Sequence, residues 1–318
     1  MTFTRPVAVL VLVAVAALTP LLGPAAALHG TGEAAAPGDG GTALLRTVLF
    51  AALCIPVGEL FVNRLARSLP GAEISHPCTP RSWSPFAAAA GFVAALGLAS
   101  IVATGNLVPD DPADIDIGGL YASRDGTLAL LEVNAFLVAA LCAVSRRPAT
   151  QIWPLAAVVV AEALRAHPAT EHSPLTGSGL TLVHLTCAAL WVGGLLHALR
   201  TLRLRTGAQG AALLGRYARV AVALFAAITA SGVWSSLRRM PPETILEQLT
   251  ATAYGRVLLA KVLLVAVAAA LAVRARRRLR RAADPLTAVA PAWAEVVALG
   301  LAVALSGLLT ALPVPIRW

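Results

Sequence analysis

The chain alternates between long apolar stretches and short polar ones. Nine apolar segments stand out, at about 7–28, 43–65, 84–105, 127–145, 151–166, 178–199, 217–237, 253–273 and 292–313. Most are long enough to cross a hydrocarbon core of about 30 Å as a helix, which needs roughly 20 residues. Backbone polar groups in lipid must be bonded within their own segment, so helices are the expected element. The pattern predicts an all-α polytopic transmembrane bundle of about nine helices. The first segment carries a second reading. Arg5, a short apolar run and Ala25-Ala26-Ala27 also fit a cleaved signal peptide, which would leave eight helices. The predicted division is 1–28 as first helix or signal peptide, 29–150 as an N-terminal half with three spans, and 151–318 as a second half with five.

Polar positions fix the expected orientation. With the N-terminus inside, Arg64, Arg67, Arg81, Arg146, Arg147, Arg200, Arg203, Arg205, Arg216 and Arg219 lie on the cytoplasmic side, joined by the basic run from Arg274 to Arg281. The opposite loops are acidic: Glu33 and Asp39, then Asp110, Asp111, Asp114 and Asp116, then Glu171, then Glu243 and Glu247. The C-terminus, Ile316-Arg317-Trp318, is then expected outside.

Composition narrows the function classes. Of 318 residues, 58% are hydrophobic and only 13% charged, with a mean hydropathy of +0.77. A soluble fold has too few polar residues here to cover its exterior. The net charge of +9 is read as membrane topology rather than nucleic-acid binding, because the arginines gather at helix ends. Cys54, Cys78, Cys142 and Cys187 are scattered and form no C-x-x-C pair. Lys261 is the sole lysine, so no Walker A loop exists. No nucleophile–base pair or cofactor motif points to an enzyme.

Ionisable residues inside apolar segments are functional candidates by default. Toward the outer face these are Glu132, Glu162 and His184, with His29, His167, Glu171 and His172 in the loops. Toward the inner face they are Glu59, His197 and Glu295. Lys261 lies between, about 13 Å into its helix at 1.5 Å per residue, and Glu132 is its expected partner. His184, Cys187 and Trp191 fall at i, i+3 and i+7 on one helical face. The His-x-x-Cys pair offers two donors to a soft metal such as Cu(I); an interhelical hydrogen bond and a small packing residue account for the same spacing. Ala166-His167-Pro168-Ala169-Thr170-Glu171-His172 adds imidazoles and a carboxylate beside that helix, or is a solvated turn. His76-Pro77-Cys78 reads as an ordinary loop on the other side. Only Met1 and Met240 occur, so no thioether ladder can form. Haem between His184 and His197 would need opposing axial ligands, and no other predicted helix interior carries a histidine. Gly193-Gly194 permits close helix contact.

The run Leu182-Val183-His184-Leu185-Thr186-Cys187-Ala188-Ala189-Leu190-Trp191-Val192-Gly193-Gly194-Leu195 resembles the His-bearing helix of the copper resistance D (CopD) family. Ala166-His167-Pro168 stands where that family has Gly-His-Ala. Arg216-Tyr217-Ala218-Arg219 and Ser231-Gly232-Val233-Trp234 are similar to its next helix. Thr252-Ala253-Tyr254-Gly255-Arg256-Val257-Leu258-Leu259-Ala260-Lys261 is close to its Thr-x-Tyr-Gly-Arg-x-Leu-Leu-x-Lys, and Glu295 and Leu312-Pro313 fit its last helix. The resemblance covers about 162–315 and implies copper handling at a bacterial inner membrane. Uptake is the usual proposal, with a small periplasmic copper-binding protein as partner. Tyr254 and Lys261 share a helical face. The resemblance makes Lys261 a structural or gating charge, because a protonated amine repels Cu⁺. The expected route gathers copper at His167, Glu171, His172 and His29, passes it to His184 and Cys187, and leads it inward past Glu59, Glu295 and His197.

Overall fold

The computed structural model describes residues 4–69, 79–105, 111, 116–167, 173–204, 207–240, 243–281 and 289–314. The fold is all-α, with no strand among the described residues. The long helices are α1 (Thr4–Leu28), α2 (Asp39–Arg67), α3 (Ser84–Ala103), α5 (Arg124–Val144), α6 (Ile152–Arg165), α7 (Pro174–Leu202), α8 (Gly207–Arg239), α10 (Ala253–Arg281) and α11 (Val289–Leu309). Two short helices, α4 (Ile117–Ala122) and α9 (Ile245–Ala251), lead into α5 and α10. Each of the nine apolar segments therefore falls on a long helix. Seven of these helices, α2, α3, α5, α7, α8, α10 and α11, are long and apolar enough to cross a membrane by length and composition. The chain is a multi-pass membrane protein.

Local chemistry sets the helix starts. Asp116 accepts the Gly119 amide at 2.9 Å to open α4, and Ser123 accepts that of Gly126 at 3.1 Å to open α5. These oxygens satisfy amides that the first turn leaves without a helical partner. Prolines occupy the first turns of α3 and α7, where a missing N–H costs nothing.

α2 and α7 form the spine. They share one apolar cluster with α3, α5 and α6, and a second with α8, α10 and α11. They meet at Gly58 and Gly193, where a Cβ on either glycine would strike the facing backbone. This is the close contact expected of Gly193; Gly194 instead faces the rings of Tyr217 and Phe61. A third cluster joins α1 to α10 and α11.

Helix direction alternates, and the polar contacts separate cleanly into two ends. At one end, Glu33 accepts the Ala253 amide at 2.7 Å, Arg256 donates to the His29 carbonyl at 2.8 Å, and Arg238 donates to Ser173 Oγ at 2.7 Å. At the other, Arg200 donates to Glu59 at 2.9 Å and Arg216 to the Ser68 carbonyl at 3.2 Å. These are called here the His29 end and the Arg200 end. The helix α6 has 14 residues, about 21 Å at 1.5 Å per residue. It is shorter than a hydrocarbon core, and its C-terminal residues Glu162 and Arg165 sit against the flanks of longer neighbours.

Candidate functional site

The site assembles from periodic stripes on six helices. On α7, Thr181, His184, Leu185, Ala188, Trp191 and Val192 face one cavity. On α10 the stripe is Tyr254, Leu258, Lys261 and Val265; on α8 it includes Gly232, Ser235, Ser236 and Arg239. Both follow the spacing of three or four residues that one helical face requires. Arg46 and Cys54 of α2, Glu162 and Arg165 of α6, and Ser306 and Thr310 of α11 complete the wall of a cavity of about 440 Å³.

His184 Nδ1 lies 3.0 Å from Ser231 Oγ on α8, which fixes the ring toward the cavity rather than toward lipid. His167 is buried, with Nε2 3.0 Å from Thr181 Oγ1, one turn above His184 on the same stripe. Imidazole, hydroxyl and imidazole thus run along the upper wall, although His167 does not itself line the cavity.

The carboxylates are engaged by arginines. Arg46 Nη1 donates to Glu162 Oε1 at 2.5 Å, and Arg165 Nη1 donates to Glu132 Oε2 at 2.7 Å. Glu132 is fully buried and pairs with Arg165, not with the expected Lys261. The reason is geometric: α6 packs beside α5, whereas α10 lies across the cavity. Among the described residues Lys261 has no acid within ion-pair distance. Arg239 donates to the Tyr254 hydroxyl at 3.0 Å.

Below the cavity lies a hydrogen-bonded layer. Trp191 forms part of the cavity wall and donates Nε1–H to Glu295 at 3.0 Å, and the Tyr217 hydroxyl donates to the Trp191 carbonyl at 2.6 Å. Phe225 packs edge-on to Trp191 at 5.5 Å. Glu295 is buried.

Glu59 and His197 belong to a separate cluster at the Arg200 end. Glu59 accepts from Ser82 Oγ and Ser84 Oγ, each at 2.6 Å, from the Trp83 amide at 2.8 Å and from Arg200. The Arg200 guanidinium also stacks on Trp83 at 3.6 Å. His197 Nε2 reaches Asn63 Oδ1 at 3.2 Å, and its Nδ1 is 3.7 Å from Glu59. With its oxygens so occupied, Glu59 clasps the start of α3 to α2 and α7.

Cys187 does not line the cavity. At about 100° per residue the α7 stripe centres on the Ala188 side of His184, and Cys187 turns away on the other. It packs against the cluster containing Trp191. His29 is exposed, and its backbone carbonyl rather than its ring is engaged. Glu171 and His172, with His76 and Cys78, lie outside the described residues. Among the described residues no three His, Cys, Asp or Glu side chains gather as a metal-ligand group. The imidazole of His184 and the thiol of Cys54 do share the cavity. Arg46, Arg165, Arg239 and Cys54 were not expected there.

Residues 211–312 match the family model described as Copper resistance protein D, CopD. This stretch, about a third of the chain, is similar to a CopD domain. It spans α8 to α11 and supplies Arg239, Tyr254 and Lys261 to the cavity; the His184 helix precedes the matched residues. No curated protein and no solved structure matches the chain.

Proposed function

We propose that this protein handles copper in a bacterial cytoplasmic membrane and that its activity is copper uptake rather than catalysis. The supporting observation is that the imidazole of His184 and the thiol of Cys54 border the cavity that the CopD-like stretch walls. These are the donor types that suit Cu(I), whereas carboxylates suit harder ions. The arginine-rich loops favour a cytoplasmic Arg200 end and an inside N-terminus, which turns the His29 end outward. A small extracytoplasmic copper-binding protein is the proposed donor at that face.

Under this reading His184 and Cys54 receive copper, and the Trp191–Glu295 layer is the barrier that must part for entry. That barrier favours a second reading, in which the protein binds copper outside and delivers it to a partner without translocation. Purified protein in liposomes separates the two when copper is supplied on the His29 side. Uptake predicts copper in the lumen for wild type and little for His184→Ala or Cys54→Ser. Delivery predicts protein-bound copper with an empty lumen. Equal binding and equal lumenal copper in wild type and both variants would overturn the assignment of the cavity.

A further inference from the structure

The cavity is more positive than a route for a bare cation should be. Arg46, Arg165, Arg239 and Lys261 border it, against one bordering carboxylate, Glu162. Two of these charges are neutralised locally, by the Arg46–Glu162 and Arg165–Glu132 pairs. Lys261 and Arg239 have no carboxylate partner among the described residues. Lys261 also feels the like charge of Arg239. Both side chains are half-buried, and two uncompensated cations facing one cavity create a positive potential that draws in anions.

The surrounding groups suit that charge. Tyr254, whose oxygen accepts from Arg239, keeps its own O–H to donate. Ser235 of α8 adds a hydroxyl to the wall, whereas those of Ser236 and Thr310 donate to the Gly232 and Gly307 carbonyls of their own helices. Arg239 and Tyr254 stand at the His29 end, and Lys261 lies two turns deeper on the Tyr254 stripe. Cation and hydroxyls at the mouth with a cation at depth describe a site for negative charge.

We propose that this cavity binds a mono-anion, held by Lys261 at depth and admitted past Arg239 and Tyr254. The ligand class is a single negative group small enough for the cavity, supplied either by a dissolved halide or carboxylate or by the headgroup of an anionic lipid. The site does not depend on the copper reading. If copper enters the same space, it does so in a complex without net positive charge.

The test uses the full chain in nanodiscs of zwitterionic phosphatidylcholine and a halide-free buffer, with chloride or acetate titrated in. The wild-type unfolding midpoint is expected to climb by roughly 3 °C for each tenfold rise in anion above its dissociation constant. Lys261→Met should lose that response and, without added anion, unfold no lower than wild type, because it removes an unpaired charge. Arg124→Gln, at the same end but outside the cavity, should keep the response. If phosphatidylglycerol discs raise the wild-type midpoint and abolish the chloride response, the lipid headgroup is the ligand. Line broadening of the ³⁵Cl resonance by wild type, reversed by acetate, reads soluble-anion binding without unfolding. The proposal is overturned if neither anions nor phosphatidylglycerol shift the wild type, or if Lys261→Met responds as wild type does. Since none of these measurements contains copper, failure here and failure of the copper assignment are separate results.

Discussion

At the scale of single residues, arginine ion pairs hold the buried carboxylates Glu132 and Glu162. The Glu132 side chain is 1% exposed and that of Arg165 is 9%. Removing one member strands the other where water cannot solvate it. Breaking such a buried pair costs about 3–5 kcal/mol, whereas exchanging both members for apolar residues is often near neutral. Arg165→Met is therefore expected to lower the unfolding free energy by that amount, and Glu132→Leu in the same chain to restore most of it. A double-mutant cycle in mild detergent measures the coupling, and additive effects would show that the pair is not coupled. The sequence marked Glu132 and Glu162 as costly, but the partner expected for Glu132 was Lys261 rather than Arg165. Arginine near an apolar segment was read as a topology marker, and Arg46, Arg165 and Arg239 received no role. The spacing of Glu162 and Arg165, three apart on a short helix, was the available signal. Partner choice depends on which helices are neighbours, and no spacing within one segment encodes that.

At the scale of elements, the apolar pattern determined the helices because lipid leaves the backbone no other way to satisfy its polar groups. All nine segments lie on helices, and α6, the shortest prediction, is the shortest of the nine long ones. What the pattern could not resolve was rotation. His184 and Trp191 share the cavity face while Cys187, also assigned to that face, does not. A spacing of three tolerates an error of about 60°, and only packing against α8 removes it. The α2–α7 crossing was better specified, through Gly193. Gly193→Ala places a methyl group into the Cys54 carbonyl, and neither backbone can yield without the helices separating. Overpacking of this kind costs about 1–3 kcal/mol. Gly300→Ala on α11, with open space around it, should be neutral or stabilising, since alanine is the better helix former. Unfolding of the two variants side by side checks this; equal stability would mean that α2 and α7 are not held together at that crossing.

At the scale of the molecule, the two ends do different work. The Arg200 end is locked: Glu59 ties α3 to α2 and α7, Arg200 covers Trp83, and Arg203 lies 5.2 Å over the Trp293 ring on α11. The cavity stands toward the His29 end, above the Trp191–Glu295 layer. If this division holds in a membrane, cysteines placed at the two ends must be reached from opposite sides. Ser306 borders the cavity and its hydroxyl donates to the Ala302 carbonyl of its own helix. Ser68 caps α2 at the Arg200 end and is exposed. In a chain with its four native cysteines changed to serine, Ser306→Cys should react with a small membrane-impermeant thiol reagent applied outside intact cells. Ser68→Cys should react only after the membrane is opened. The reaction at Ser306→Cys should be faster with a negatively charged reagent than with a positive one of equal size, because Lys261 and Arg239 face the same space. Labelling of both cysteines from one side would break the helix alternation, and with it the outward-facing cavity on which uptake, delivery and anion binding all depend.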